Sequence, residues 1–229
     1  MDIPSKSQMT LSIEIKEGTK QSHSAAENTK FVSSFLRGVV DKEKYRQLIA
    51  NFYFVYRAME EEIEKLKGDS TLGKLFFEEL NRVPALEQDL RYFYGPIWRS
   101  HITPTDQAQR YVNRIREVAE NEPELLIAHH YTRYIGDLSG GQILKKIAEK
   151  ALGSEGLNFY DFPKITDKKG FKTSYKTMLD TLDLDQHQIN AIIVEANWAF
   201  RLNMFMFEEL EGSSFLGFLK FIMGSLWQR

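Results

Sequence analysis

The chain contains no cysteine among its 229 residues. That absence removes disulfides, thiolate metal ligands, iron–sulfur clusters and cysteine nucleophiles, and leaves histidine as the strong ligand for a transition metal. Proline is scarce too, at 6 residues, and with 42% hydrophobic residues the composition argues against disorder. Charge of one sign is also lacking: the net charge is -2, the pI is near 6.2, and Lys and Arg are scattered along the chain. Nucleic acid is therefore not an expected partner. No apolar run reaches the roughly 20 residues of a membrane-spanning helix. The richest stretch, 213–229, holds Phe215, Phe218, Phe221, Ile222 and Trp227 but is interrupted by Lys220 and two glycines. It is expected to close the body as a packed helix, with a homodimer contact or a membrane-surface helix as the second reading. Met1 to Thr10 shows neither an apolar export signal nor an Arg-rich transit peptide, so the expected compartment is the cytosol.

The two-residue alternation of strands is missing, and apolar residues recur at three and four positions almost throughout. This pattern predicts an all-α single domain, a helical bundle over 1–229 with its core at about 11–212. Predicted helices cover 12–28, 31–38, 42–67, 72–80, 85–94, 106–121, 123–150, 171–181 and 185–211. In the last of these, Ile189, Ile192, Ile193, Ala196, Phe200, Met204 and Phe207 mark one buried face. Breaks are expected at Gly68-Asp69-Ser70, at Gly95-Pro96 and across the loop from Gly153 to Gly170.

Within the predicted 123–150 helix, Arg133-Tyr134-Ile135-Gly136-Asp137-Leu138-Ser139-Gly140-Gly141 is out of character. A helix-interior glycine costs roughly 1 kcal/mol relative to alanine, so Gly136, Gly140 and Gly141 call for a reason. Gly136 and Gly140 share a helical face and form a trough without side chains, against which a planar ligand could lie. Asp137 stands beside it, one turn from Arg133. A kinked helix with an ordinary ion pair worth about 0.3–0.5 kcal/mol is the plainer alternative.

A second segment, Lys16 to Asn28, carries His23 on the helical line of Ile15 and Thr19. Neutral imidazole is a usual proximal ligand of haem iron, and Glu27, one turn on, could orient the ring through its other nitrogen. Lys16 lies two turns earlier, about 10 Å away at a rise of 1.5 Å per residue. That offset suits an anionic group at the rim of a macrocycle held through His23. A lone helical histidine is by itself more often structural.

Together, Glu17 to Asn28, Tyr131 to Gln142, and Phe200 to Leu210 with Asn203 and Phe207 resemble the biliverdin-forming haem (heme) oxygenases, most closely those of cyanobacteria and plastids. The resemblance covers about Leu11 to Gly212. It implies haem as both substrate and cofactor, sandwiched between a proximal helix and the glycine-rich distal helix. It implies His23 as the iron ligand with Glu27 beside it, Gly136, Gly140 and Gly141 against the ring, and Asp137 ordering water near bound O2. Tyr56 and Arg133 match members of the same hydrogen-bond network. Lys16, Tyr131, Lys172 and Lys176 fall where propionates bind, and Phe200, Asn203 and Phe207 where the pocket is lined. Many relatives carry arginine in place of Lys176, and lysine cannot pair a carboxylate in bidentate fashion. The activity implied is cleavage of haem at the α-meso carbon to biliverdin IXα, CO and Fe2+.

The chain shows no flavin or nicotinamide glycine motif, so an external protein must supply electrons. The resemblance makes ferredoxin the expected donor, with Lys145, Lys146, Lys150, Lys168 and Lys169 as docking points. It allows the plastid stroma as a compartment where a transit peptide has been removed. His129 and His130 are adjacent, face different sides of a helix, and are expected to be solvated or at the core edge. His101 and His187 lack a ligand pattern, and Glu60-Glu61-Glu62 is expected to be a solvated face. A non-catalytic haem carrier or sensor, or a thiaminase-like enzyme sharing the fold, are the rival readings.

Overall fold

A computed structural model describes residues 10–212, which form ten α-helices and no strand. The apolar stretch 213–229 lies outside the described residues. Helices α1 (Leu11–Gly18) and α2 (Lys20–Glu27) are the first predicted helix interrupted at Thr19. The Thr19 hydroxyl donates back to the Ile15 carbonyl at 2.7 Å, a contact that bends helices. The chain continues through α3 (Lys30–Leu36) into the long α4 (Lys42–Lys65). Next along the chain are α5 (Val83–Tyr94), α6 (Asp106–Asn121), α7 (Leu126–His130) and α8 (Gly136–Leu152). Last come α9 (Lys168–Asp180) and α10 (Gln186–Leu210).

Local chemistry sets the ends. Asp41 accepts from Lys44 N, Thr105 from Ala108 N and Asp167 from Gly170 N, and Asp185 with Gln188 forms a complete capping box. Gly95 and Gly153, at φ 81° and 93°, end α5 and α8 in a conformation that glycine adopts without a Cβ penalty. The predicted 72–80 helix is instead two 3-10 turns, Leu72–Leu75 and Glu78–Leu80, joined by extended backbone at Phe76 and Phe77. Extension sends the two rings to opposite sides: Phe76 lies under Lys67 at 4.0 Å, and Phe77 packs against Phe171 and Tyr175.

α4 packs on α5 and α6, while α10 runs past α1, α2, α3, α4, α6 and α7. Two faces of α10 do different work. Ile192, Ala196, Ala199, Leu202, Met206 and Leu210 are buried in the core. A second stripe at seven-residue spacing meets the N-terminal helices: Ile193 at Gly18, Phe200 at His23 and Phe207 at Phe31. These pairs advance together, so the N-terminal segment lies parallel to α10. The single buried face expected of this helix is thus two adjoining stripes.

Candidate active site

Asp137 opens α8 directly after a π-helical turn, Tyr131–Ile135, that separates α8 from α7. Such turns rotate the helix beyond them and often occur at functional sites. Here Arg133 and Tyr134 are buried while Gly136 is exposed. Tyr56, fully buried on α4, donates its hydroxyl to Asp137 Oδ2. Arg133 donates Nε to the Tyr56 oxygen at 2.9 Å, Nη1 to Asn203 Oδ1 at 2.6 Å and Nη2 to Asp137 Oδ1 at 3.3 Å. Its guanidinium lies 4.4 Å from the centre of the Phe52 ring. Asn203 is held from behind by the Ala199 carbonyl at 2.8 Å and the Tyr111 hydroxyl at 3.4 Å.

Burial raises the proton affinity of Asp137 above that of an ordinary carboxylate, and the Arg133 charge and the Tyr56 hydrogen bond offset only part of that rise. The result is a carboxyl held in fixed geometry that can carry or release a proton. Beside it the trough is open: a Cβ placed on Gly136 or Gly140 meets nothing within 4 Å. Gly141 belongs to the inner side, since its Cβ would stand 3.6 Å from Tyr160 Cδ1. Asn203, expected to line the pocket, is buried and engaged with Arg133.

The His23 side chain is 56% exposed, and its ring meets Phe200 edge-on at 5.7 Å. Glu27 Oε1 is 3.8 Å from His23 Nδ1, beyond hydrogen-bond range, so it is a charged neighbour of the ring. α10 joins both halves of the site, because Phe200 touches His23 one turn before Asn203 reaches Arg133. Among the rim candidates, Lys172 Nζ sits 3.3 Å from Ser139 Oγ, between the trough glycines, and Lys176 is exposed one turn further along α9. Tyr131 lies in the π turn, and burial raises its phenol pKa. Lys16 is exposed and 3.7 Å from Glu17.

Three expectations are corrected. His129 and His130 do face different sides, yet both are buried: His129 Nε2 is 2.9 Å from Glu195 Oε1, and His130 Nδ1 is 2.7 Å from the Tyr175 hydroxyl. Burial pushes the His130 pKa down to about 3. Glu60 is not part of a solvated face; its Oε1 accepts from Arg82 N at 2.5 Å, Val83 N at 3.2 Å and the Tyr134 hydroxyl at 3.2 Å. Lys145 is not a free cation, since both Asp161 carboxylate oxygens lie 2.8 Å from its Nζ. The covering of Glu60 is readable in the sequence: it lies one turn from Tyr56 and Ile63 on the buried side of α4, as Glu62 does from Ala58 and Met59, whereas Glu61 is exposed. An open groove of about 1260 Å³ between α2, α6 and α10, lined by Arg110, Trp198 and Phe205, shares none of the trough residues.

Fold and site define an all-α protein in which a bare helical trough lies beside a buried, hydrogen-bonded carboxyl. A sequence model of the family described as heme oxygenase matches residues 9–209. A heme oxygenase of Guillardia theta is 51% identical over 216 residues, covering 93% of this chain and 91% of the relative. Heme oxygenase 1 of Synechocystis is 49% identical over 223 residues, 96% of this chain and 93% of that protein. The crystal structure of the Synechocystis heme oxygenase-1 in complex with heme superimposes with a TM-score of 0.87 at 50% identity, covering 95% of this chain and 100% of that one. The chain belongs to the heme oxygenase family and is an oxidoreductase of that kind.

Proposed function

We propose that the chain binds haem between α2 and the Gly136–Gly140 trough and cleaves it at the α-meso carbon to biliverdin IXα, CO and Fe2+, with electrons from a ferredoxin. The observation that carries this reading is the Tyr56–Asp137–Arg133–Asn203 network directly beside a trough that side chains leave open. A carrier needs the trough but has no use for a buried carboxyl fixed by a phenol and a guanidinium. Bound haem supplies the iron that binds and activates dioxygen, and the ring carbon that is oxidised.

The chain's own residues do the rest. His23, exposed and backed by Phe200, offers an imidazole to the metal, with Glu27 as a negative neighbour that favours an electron-rich ring. Gly136 and Gly140 let backbone approach the ring plane and restrict space above it. Asp137 holds water in a fixed position and delivers protons there, kept in place by Tyr56 and Arg133. Lys172 and Lys176, with Lys16 and Tyr131, fix the rotation of the ring through its propionates, which selects the carbon attacked. Phe200 and Phe207 line the apolar side.

The test mixes purified protein with haemin, adds ascorbate or reduced ferredoxin in air, and tracks the absorption spectrum. A histidine-ligated spectrum that gives way to biliverdin is expected, and His23→Ala should lose that spectrum and regain part of it with added imidazole. Haem that binds but persists under reductant would leave a carrier, and no binding would leave a different enzyme of the same fold.

A further inference from the structure

Behind the Asp137 network lies a second, half-buried carboxyl that the proposed chemistry does not use. Glu60 projects from α4 one turn after Tyr56, and all three of its hydrogen bonds fall on Oε1: two from backbone N–H groups of Arg82 and Val83, one from the Tyr134 hydroxyl. Oε2 accepts none of the three. The Tyr134 ring meets that of Tyr56 at 5.6 Å, and Tyr56 bonds Asp137. Glu60 and Asp137 are therefore the two ends of one tyrosine-linked cluster.

The charges around this cluster are unevenly shared. Arg133 is in ion-pair contact with Asp137. Arg82, only 3% exposed, spends its guanidinium on carbonyl oxygens instead: Nε donates to Leu80 O at 2.8 Å, and Nη1 to the carbonyls of Phe159 and Asp161. Its face lies on the Phe162 ring at 3.7 Å. Among the described residues no carboxylate lies within ion-pair distance of Arg82. Its field reaches Asp137 most strongly, then Tyr56, Tyr134 and Glu60. Glu78, Asp161 and Lys164 line the surface cleft on its outer side.

We propose that Glu60 is a positioning residue of the haem-cleaving reaction: through Tyr134 and the shared charge of Arg82 it sets whether Asp137 is charged. This rests on the reading of Asp137 as the proton-handling group. With a proton on Glu60, Asp137 is the cluster's one carboxylate, paired with Arg133 and favoured further by the Arg82 field. Loss of that proton adds a second negative charge to a poorly solvated cluster and drives Asp137 toward its neutral form. Burial supports the assignment, raising the Glu60 carboxyl from 4.5 to about 7 despite its three hydrogen bonds, so the switch lies where enzymes work.

The experiment reads the carboxyls directly in haem-free protein labelled with 13C at the Asp and Glu side-chain carboxyl carbons. A glutamate resonance titrating near neutrality should vanish in Glu60→Gln, a variant whose amide oxygen still accepts from the two backbone N–H groups. In the wild type the Asp137 resonance should show a second inflection near neutrality, where Glu60 loses its proton; Glu60→Gln, which mimics the protonated form, should remove that inflection, and Tyr134→Phe should reduce it. The pH profile of biliverdin formation should lose its near-neutral inflection in Glu60→Gln. A Glu60 resonance titrating in the ordinary carboxyl range, or a wild-type Asp137 resonance with no inflection near neutrality, overturns the proposal. Normal biliverdin yield from Asp137→Asn would instead overturn the role given to Asp137, an outcome the titrations identify separately.

Discussion

At the scale of the residue, the site depends on burying groups that prefer water. Asp137→Asn keeps the shape that Tyr56 and Arg133 grip but cannot exchange a proton, so haem binding should survive while biliverdin formation falls by on the order of 100-fold or more. Chromatography of the products decides this, and a wild-type yield would rule it out. Glu60 makes a separate prediction about stability. Its folded-state value is raised from 4.5 to about 7, so folding favours the protonated form. No penalty exists below the unfolded value; it grows as pH rises between the two values and is constant above the upper one. At one unit per 1.36 kcal/mol the full penalty is about 3 kcal/mol, an order-of-magnitude figure. Urea denaturation of Glu60→Gln and wild type should therefore show the variant gaining relative stability from pH 5 to pH 8, and a pH-independent difference would refute the burial argument.

At the scale of the element, the close approach of α1 to α10 carries the most risk. A Cβ on Gly18 would stand 2.5 Å from Ile193 Cγ2, a branched side chain with little room to turn. Gly18→Ala should therefore cost about 1–3 kcal/mol through overpacking and displace α2, which a lower denaturation midpoint and an altered haem spectrum would report together. An unchanged midpoint would mean that the helices separate freely. The helices themselves are legible in the sequence because three-and-four spacing and end chemistry agree, as at Asp185 with Gln188 and at Gly95 and Gly153. His23, Asp137 and the Gly136–Gly140 face are legible for the same kind of reason, residues of unusual type at helical spacing. The illegible features depend on partners distant in sequence. The π turn at Tyr131–Ile135 has no local residue signal, since Arg133 and Tyr134 both turn inward only because Tyr56, Asn203 and Glu60 are there to receive them. His129 reads as solvated from its neighbours in sequence, whereas Glu195, far along the chain, supplies its buried partner.

At the scale of the whole molecule, the sequence holds no cysteine and no flavin or nicotinamide glycine motif, so under the proposed function electrons enter across the surface. Of the lysines proposed as docking points, Lys145 is committed to Asp161 and Glu149, and reversing its charge would place two like charges against it. That substitution would loosen the 158–161 loop, which Asp89 also holds through Asn158 and Phe159 and on which Tyr160 backs Gly141. It would therefore confuse docking with damage. Lys146, Lys150 and Lys169 are exposed, and the proposal belongs to them. An acidic donor steered by such charges should react more slowly as the Debye length shortens from about 30 Å at 0.01 M salt to about 10 Å at 0.1 M. Lys146→Glu with Lys150→Glu should reproduce that loss at low salt under limiting ferredoxin, while turnover driven by ascorbate stays unchanged because a small reductant needs no docking. Ferredoxin-supported turnover insensitive both to salt and to the double substitution would move the electron entry to another face. A fall in the ascorbate rate as well would instead show that these lysines act on the trough through α8.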